Sequence, residues 1–369
     1  MRGPGTLRTA GARVALAGAA AAVAQVLACM SACERAPRHA GPDAVAPADA
    51  GSARVAEVCV GAAHSCARAQ DGRVACWGDN AQGQVGDPAG ARFDAPHAVE
   101  GLPLAAELRC GERQTCVRTE AGQIFCRGQW TRGVARIPLP APAGSFVLNA
   151  TGGCAIVAGA RVVCWQGAGD VAMVTIDSAA PATAFAIAPA DSRRVCVLRT
   201  DAPPACFVAP LHGPVPEGRV EPAGPPLESQ VESFGDLGGA QELLLARGLC
   251  ARFAGGRVRC RDLPLASEWS SVSALHFLAA NDRLACLRGT DGAVRCASSV
   301  LGPPGEAPAA VERAVPADAA SLSLSRDHGC AISGERIRCW GSRDPGQLGG
   351  LDLDGGGPPG DVARTVPWP

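Results

Sequence analysis

The chain of 369 residues contains no lysine and no tyrosine, and aromatic residues make up only 4% of it. Without lysine there is no Walker-type phosphate loop and no Schiff-base chemistry, since both need its terminal amine. Neither His-Glu-x-x-His nor Gly-x-Ser-x-Gly occurs, which excludes the helical zincin site and the nucleophile elbow. A formal net charge of -1 offers no basic field for a nucleic acid. Few aromatics leave little bulk for a core, so another device has to brace the fold. The abundance of alanine, arginine, glycine and proline reads as GC-rich coding rather than as a functional signal.

What is plentiful is cysteine, eighteen residues of it. Fourteen fall into pairs: Cys66 with Cys76, Cys116 with Cys126, Cys154 with Cys164, Cys196 with Cys206, Cys250 with Cys260, Cys286 with Cys296, and Cys330 with Cys339. The pairs start 50, 38, 42, 54, 36 and 44 residues apart, a period that points to propellers or solenoids. In the first unit Gln70-Asp71-Gly72 reads as a three-residue hairpin loop closed by a left-handed glycine, which pairs Ala69 with Arg73. Counting back, Cys66 faces Cys76 in a non-hydrogen-bonded position, where Cα atoms lie about 4.5 Å apart and a disulfide can form. Gly122, Gly256 and Gly292 repeat the turn. The last unit is one residue shorter, and Gly334-Glu335 as a two-residue turn restores Cys330 opposite Cys339. In the third unit Gly159 comes one position early, and in the fourth Pro203 and Pro204 interrupt the turn, so these two are expected to be irregular or at a sheet edge. Cross-strand bridges at this spacing suit an oxidising compartment.

Residues 1–28 carry Arg2, Arg8 and Arg13 ahead of the apolar run Val14 to Ala24, the pattern of a secretory signal. Cys29, after Val26-Leu27-Ala28, resembles a bacterial lipobox cysteine, with Cys33 as the alternative site of acylation. Residues 29–55, rich in alanine and proline, read as a tether. The repeats occupy 56–350, and 351–369 reads as a Gly/Pro-rich tail. Trp368 is left to pack back on the repeats or to stay exposed.

The first and last units share one further pattern. After the hairpin come Trp77, Gly78, Gly83, Gln84 and Gly86 in one, and Trp340, Gly341, Gly346, Gln347 and Gly349 in the other. Here the sequence closely resembles the regulator of chromosome condensation repeat family, of the bacterial secreted or lipoprotein type. The resemblance implies an all-β, seven-bladed β-propeller, with degenerate inner blades and one cross-strand disulfide per blade. Trp165 persists in the third unit, while Arg127, Phe207, Arg261 and Ala297 stand in the tryptophan's place elsewhere.

Cys59 and Cys110 precede their hairpins, and either bridge two blades or serve as small buried thiols. His64 and His328 occupy matching positions, which favours scaffold over catalysis, and His39, His97, His212 and His276 are scattered. No catalytic residue, metal site or cofactor is expected. The reading is a non-catalytic, envelope-anchored scaffold that binds a protein partner through propeller loops and a membrane through its lipid. Stretches 87–105 and 207–240 are the expected contact surfaces, because binding residues sit on loops held by rigid strands. A propeller enzyme with a channel site and a structural envelope lipoprotein are the alternatives.

Overall fold

The computed structural model describes residues 54–167, 172–176, 179, 181–187, 194–208, 232–245, 248–261, 274–280, 284–298, 315–342, 346–349 and 364–368. Their strands form seven antiparallel sheets, five of four strands and two of three, each with its strands in chain order. Sheet 1 is Val55–Val60, His64–Ala69, Val74–Gly78 and Phe93–Ala98. The first strand of each sheet packs against the first strand of the next, and Val55–Val60 packs against Ala319–Leu324 of sheet 7. The first strands therefore line an axis, and the ring closes between the last sheet and the first.

The described core is divided into seven apolar clusters, each held between two consecutive sheets. Between sheets 2 and 3, for example, Cys116 and Cys126 face Phe146 and Trp165. Between sheets 7 and 1, Cys330 and Cys339 meet Val58, Val60 and Trp77. A hairpin pressed on both faces has no solvent side, so its strands do not alternate polar and apolar. His64–Ala69 is buried at five of six positions, with alanine and cysteine filling the narrow space.

All seven hairpin pairs are bridged: Cys66 to Cys76, Cys116 to Cys126, Cys154 to Cys164, Cys196 to Cys206, Cys250 to Cys260, Cys286 to Cys296, and Cys330 to Cys339. Their Cα separations are 3.9 to 4.1 Å, closer than the general spacing for such sites. Cys164 and Cys206 are buried between sheets, whereas Cys260 and Cys296 are half-buried, on the third strands of the two sheets that have three strands among the described residues. The first turn closes through Ala69 N–H to Arg73 O at 2.9 Å and Gly72 N–H to Ala69 O at 3.0 Å, with φ of 88° at Gly72. The shortened turn pairs Ser333 with Arg336, with φ of 62° at Gly334.

The third unit departs from the expected irregularity. Ala160 takes φ of 56° beside Gly159, which absorbs the early glycine, keeps Cys154 opposite Cys164 and leaves a regular four-stranded sheet. In the fourth, Cys196 still pairs in register with Cys206, but the fourth strand is only Glu232–Ser233. The boundary at 350 is also corrected. Arg364–Val366 pairs with Arg336–Gly341 as the fourth strand of sheet 7. The physical reason is an apolar gap: Val366 is buried in the cluster between sheets 7 and 1, and Trp368 packs against it half-buried.

Candidate binding rim

Where the ring closes, a tryptophan of one unit bonds to the Gly-Gln loop of the unit before it. Trp77 Nε1–H donates to Gln347 O at 2.8 Å, and Ser65 Oγ–H donates to the same carbonyl at 2.9 Å. At the next seam Arg127 stands in for the tryptophan. Its Nε–H reaches Gly83 O at 2.6 Å, a second nitrogen reaches Glu100 O at 3.2 Å, and a third lies 3.1 Å from the Asp87 carboxylate. Arg127 is 1% exposed, so a charged side chain sits in a tryptophan slot because it also donates to the preceding unit's Gly-Gln loop, at the glycine carbonyl rather than the glutamine's. Trp165 keeps its slot, but the unit before it has no Gly-Gln loop, and its Nε1 is buried without a partner. Two motif glycines are fixed by space. A Cβ on Gly78 (φ 103°) would lie 2.6 Å from Ala63 O, and one on Gly349 (φ 63°) would lie 2.7 Å from Trp77 Nε1.

The loop after Trp77 is tied by its own polar residues. Asn80 accepts from Val85 N–H and Gly86 N–H through Oδ1 and donates to Gly86 O and Pro88 O through Nδ2. Gln84 Nε2–H donates to Asp79 at 2.9 Å, and Gln84 Oε1 accepts from Gln82 N–H. Asn80 and Gln84 are buried, so the loop keeps one shape.

The two matched histidines join the same seams. His328 Nε2 lies 2.9 Å from Ser65 Oγ across the ring closure, and His64 Nε2 lies 3.1 Å from Thr115 Oγ1 between sheets 1 and 2. Both are fully buried, and burial pushes their imidazoles down, to about 4 for His64 and about 3 for His328. Neutral rings bonded to hydroxyls inside a seam are a scaffold feature. His64, Ser65 and Cys66 correspond to Gln114, Thr115 and Cys116 in the next unit, but the third unit has Gly152-Gly153-Cys154 and the polar bond stops there.

An ion network was not anticipated from the sequence. Glu57 pairs with Arg68 at 3.1 Å and with Arg109, and Glu107 pairs with Arg109 at 2.7 Å and Arg118 at 2.8 Å. Arg109 thereby bridges the inner strands of sheets 1 and 2. Glu242 and Arg252 repeat the cross-strand pair in sheet 5. The signal was present: a glutamate on the first strand and an arginine two positions after the first hairpin cysteine.

Cys59 and Cys110 form a bridge between sheets 1 and 2, with Cα atoms 5.5 Å apart. Three sulfurs, those of Cys59, Cys66 and Cys110, lie within 4.8 Å of one another, but each belongs to a disulfide and is not a metal ligand in this state. Cys29 and Cys33 lie outside the described residues. Among the described residues no helix is long and apolar enough to cross a membrane.

The axis holds a cavity of about 640 Å³ at the end where the inner strands finish. Its lining is mixed: Val60, Val147, Ile187, Leu243 and Leu324 are apolar, while Arg109, Glu112, Asn149, Glu242, Ser325, Arg326 and Asp327 are polar or charged; Cys110 reaches it as well. The third strand of each sheet also ends at this rim, which places the Asn80 loop and the 129–133 loop there. In the latter, Trp130 is 41% exposed and has φ of 69°. Thr131 N–H and Oγ–H both bond to Gly128 O, at 3.0 and 2.8 Å, and Gln114 Nε2–H bonds to Gln129 O at 3.1 Å. Trp130 occupies the place that buried Asn80 holds one unit earlier, a substitution visible in the sequence but not singled out there. Of the expected contact stretches, 87–105 contains the outer strand Phe93–Ala98 and exposed Leu104, while 209–231 lies outside the described residues.

Residues 55–84 match the Regulator of chromosome condensation (RCC1) repeat. With the ring of sheets, this defines the class: an all-β propeller protein carrying that repeat. The fold is also that of the entire ectodomain of the Physcomitrella patens receptor kinase CR4, at 17% identity and a TM-score of 0.50, covering 78% of this chain and 73% of that one. Other similar structures are Prp20p from Saccharomyces cerevisiae, at 12% identity, a TM-score of 0.46 and coverage of 85% and 76%, and the CRINKLY WD40 ectodomain from the Arabidopsis thaliana receptor kinase ACR4, at 15%, 0.48, 78% and 95%. No curated protein matches the chain.

Proposed function

We propose that the protein is a seven-bladed, non-catalytic recognition scaffold of the bacterial envelope, secreted by residues 1–28, acylated at Cys29 and joined to its anchor by the 29–55 tether. Eight disulfides suit an oxidising compartment and a rigid frame. The observation that carries the reading is Trp130. A bulky residue with positive φ costs about 1–3 kcal/mol and persists where its surroundings hold it, commonly at ligand clamps. Here the strained backbone turns a tryptophan outward on a pinned loop of the rim at which the inner strands finish. Tryptophan is among the residues enriched at the energetic hot spots of protein interfaces. Ser65 and His328 are fully buried and Ser65 donates to a backbone carbonyl, while half-buried Ser325 in the cavity lining, 2.7 Å from His328 Nδ1, also bonds the His328 carbonyl and caps that turn.

The test is capture of cross-linked partners from native envelopes with the oxidised wild type and with Trp130→Ala. One protein retained by the wild type and lost with the variant, whose disulfides and circular dichroism are unchanged, supports the reading. Equal capture by both removes Trp130 as the anchor, and no specific capture by either removes the scaffold reading.

A further inference from the structure

Sheet 1 holds three cysteines in a row across three adjacent strands. Cys59 on Val55–Val60 pairs in register with Cys66 on His64–Ala69, and Cys66 pairs in register with Cys76 on Val74–Gly78. Opposite the first hairpin cysteine the other sheets place Arg109, Val147, Ala186, Leu244, Ala279 and Ser323, so this row is particular to sheet 1. Alternation along an antiparallel strand makes Cys59 with Cys66 the hydrogen-bonded kind of pair, with Cα atoms about 5.5 Å apart, inside the range a disulfide spans. Cys66 therefore has two geometrically acceptable partners. The Sγ atoms of Cys59, Cys66 and Cys110 already lie within 4.8 Å of one another. Cys66 and Cys76 are sealed from solvent, whereas Cys110 is half-buried and reaches the axial cavity. Thr115 Oγ1, itself bonded to His64, lies 3.4 Å from Cys66 Sγ and can donate to sulfur as charge moves through the row.

We propose that Cys110, Cys59, Cys66 and Cys76 form a thiol–disulfide exchange site that accepts a small thiol from the cavity. The thiolate of the incoming molecule attacks Cys110 Sγ, forming a mixed disulfide and breaking the Cys59–Cys110 bond. The Cys59 thiolate released attacks Cys66 Sγ, and the Cys66–Cys76 bond breaks as Cys59–Cys66 forms. Cys76 leaves as thiolate and takes the proton given up by the incoming thiol. Two disulfides and one thiol enter, two disulfides and one thiol leave, and nothing is oxidised or reduced overall. The consequence is loss of the covalent tie between sheets 1 and 2, with the small thiol held at the cavity wall.

The test treats the oxidised full chain with reduced glutathione at pH 8, quenches with N-ethylmaleimide in acid, and maps peptides without reduction. The expected result is glutathione on Cys110, a Cys59–Cys66 linked peptide and maleimide on Cys76, rising together one to one before any other pair opens. Glutathione on Cys110 with maleimide on Cys59 and an intact Cys66–Cys76 overturns the relay. A Cys59–Cys110 bridge that outlasts the other pairs overturns the access route. A second variant, Cys110→Ser, leaves Cys59 free without any added thiol; maleimide is then expected on both Cys59 and Cys76, and label on Cys59 alone contradicts the proposal.

Discussion

Acidification from pH 7.5 to 4.5 is expected to weaken the folded protein chiefly through His64 and His328. Each ring is fully buried and neutral, held down mainly by desolvation; for His328 the neighbouring His64 adds to the effect, while Asp79 opposes it slightly for His64. In the unfolded chain an imidazole takes up a proton near pH 6.5. Between that pH and the folded values of about 4 and about 3, the unfolded state binds more protons, so stability falls as pH falls and levels off below them. One pH unit is worth about 1.4 kcal/mol per group, so by pH 4.5 the two neighbouring histidines together remove on the order of a few kcal/mol. That is a large part of an ordinary folding free energy of about 5–15 kcal/mol. The assay is urea unfolding of the oxidised protein at half-unit steps of pH, for the wild type and for His64→Gln with His328→Gln. Glutamine is the right replacement because Gln114 holds the matching position in the second unit. The variant is expected to lose most of the slope between pH 6.5 and 4.5. An unchanged slope in the variant, or a flat wild type, refutes the assignment.

Three further outcomes follow from the seams and the leader. Arg127→Ala removes bonds to two backbone carbonyls in a buried slot and is expected to cost about 2–4 kcal/mol in urea unfolding, with Arg127→Trp recovering part of it because Trp77 in the matching slot donates to the adjacent carbonyl of the equivalent loop. Gly349→Ala adds a Cβ 2.7 Å from Trp77 Nε1 at a left-handed residue and is expected to cost more than about 1 kcal/mol, read as a fall in melting temperature and a red-shifted tryptophan emission. Metabolic labelling with an alkyne fatty acid is expected to mark the wild type and Cys33→Ser but not Cys29→Ser, and label surviving in Cys29→Ser moves the anchor to another residue.

The cysteine ladder was legible because hairpin geometry is local. Turn length, the left-handed glycine and strand alternation together place Cys66 against Cys76 without knowledge of anything beyond eleven residues. The seams were legible only where the motif was intact. Trp77 and Gln347 announced a shared pattern, but that one unit's indole bonds the other unit's loop is a contact over 270 positions, which no local period encodes. Arg127 read as a degenerate tryptophan, yet it ties the same loop one carbonyl earlier, since what the slot requires is an N–H aimed at a loop carbonyl. The strand Arg364–Val366 was hidden by the Gly/Pro-rich stretch before it, whose composition masks a three-residue return that carries a single buried valine, Val366. Ala160 shows the opposite error: a misplaced turn glycine suggested a broken unit, and one strained alanine was enough to keep Cys154 and Cys164 in register.

The most direct test is a non-reducing peptide map of the full chain, purified without added thiol and quenched in acid. The account predicts eight linked pairs, seven within hairpins and one joining Cys59 to Cys110. Free thiols at most of the hairpin positions, or links joining hairpins of different sheets, would contradict a ring of disulfide-braced sheets.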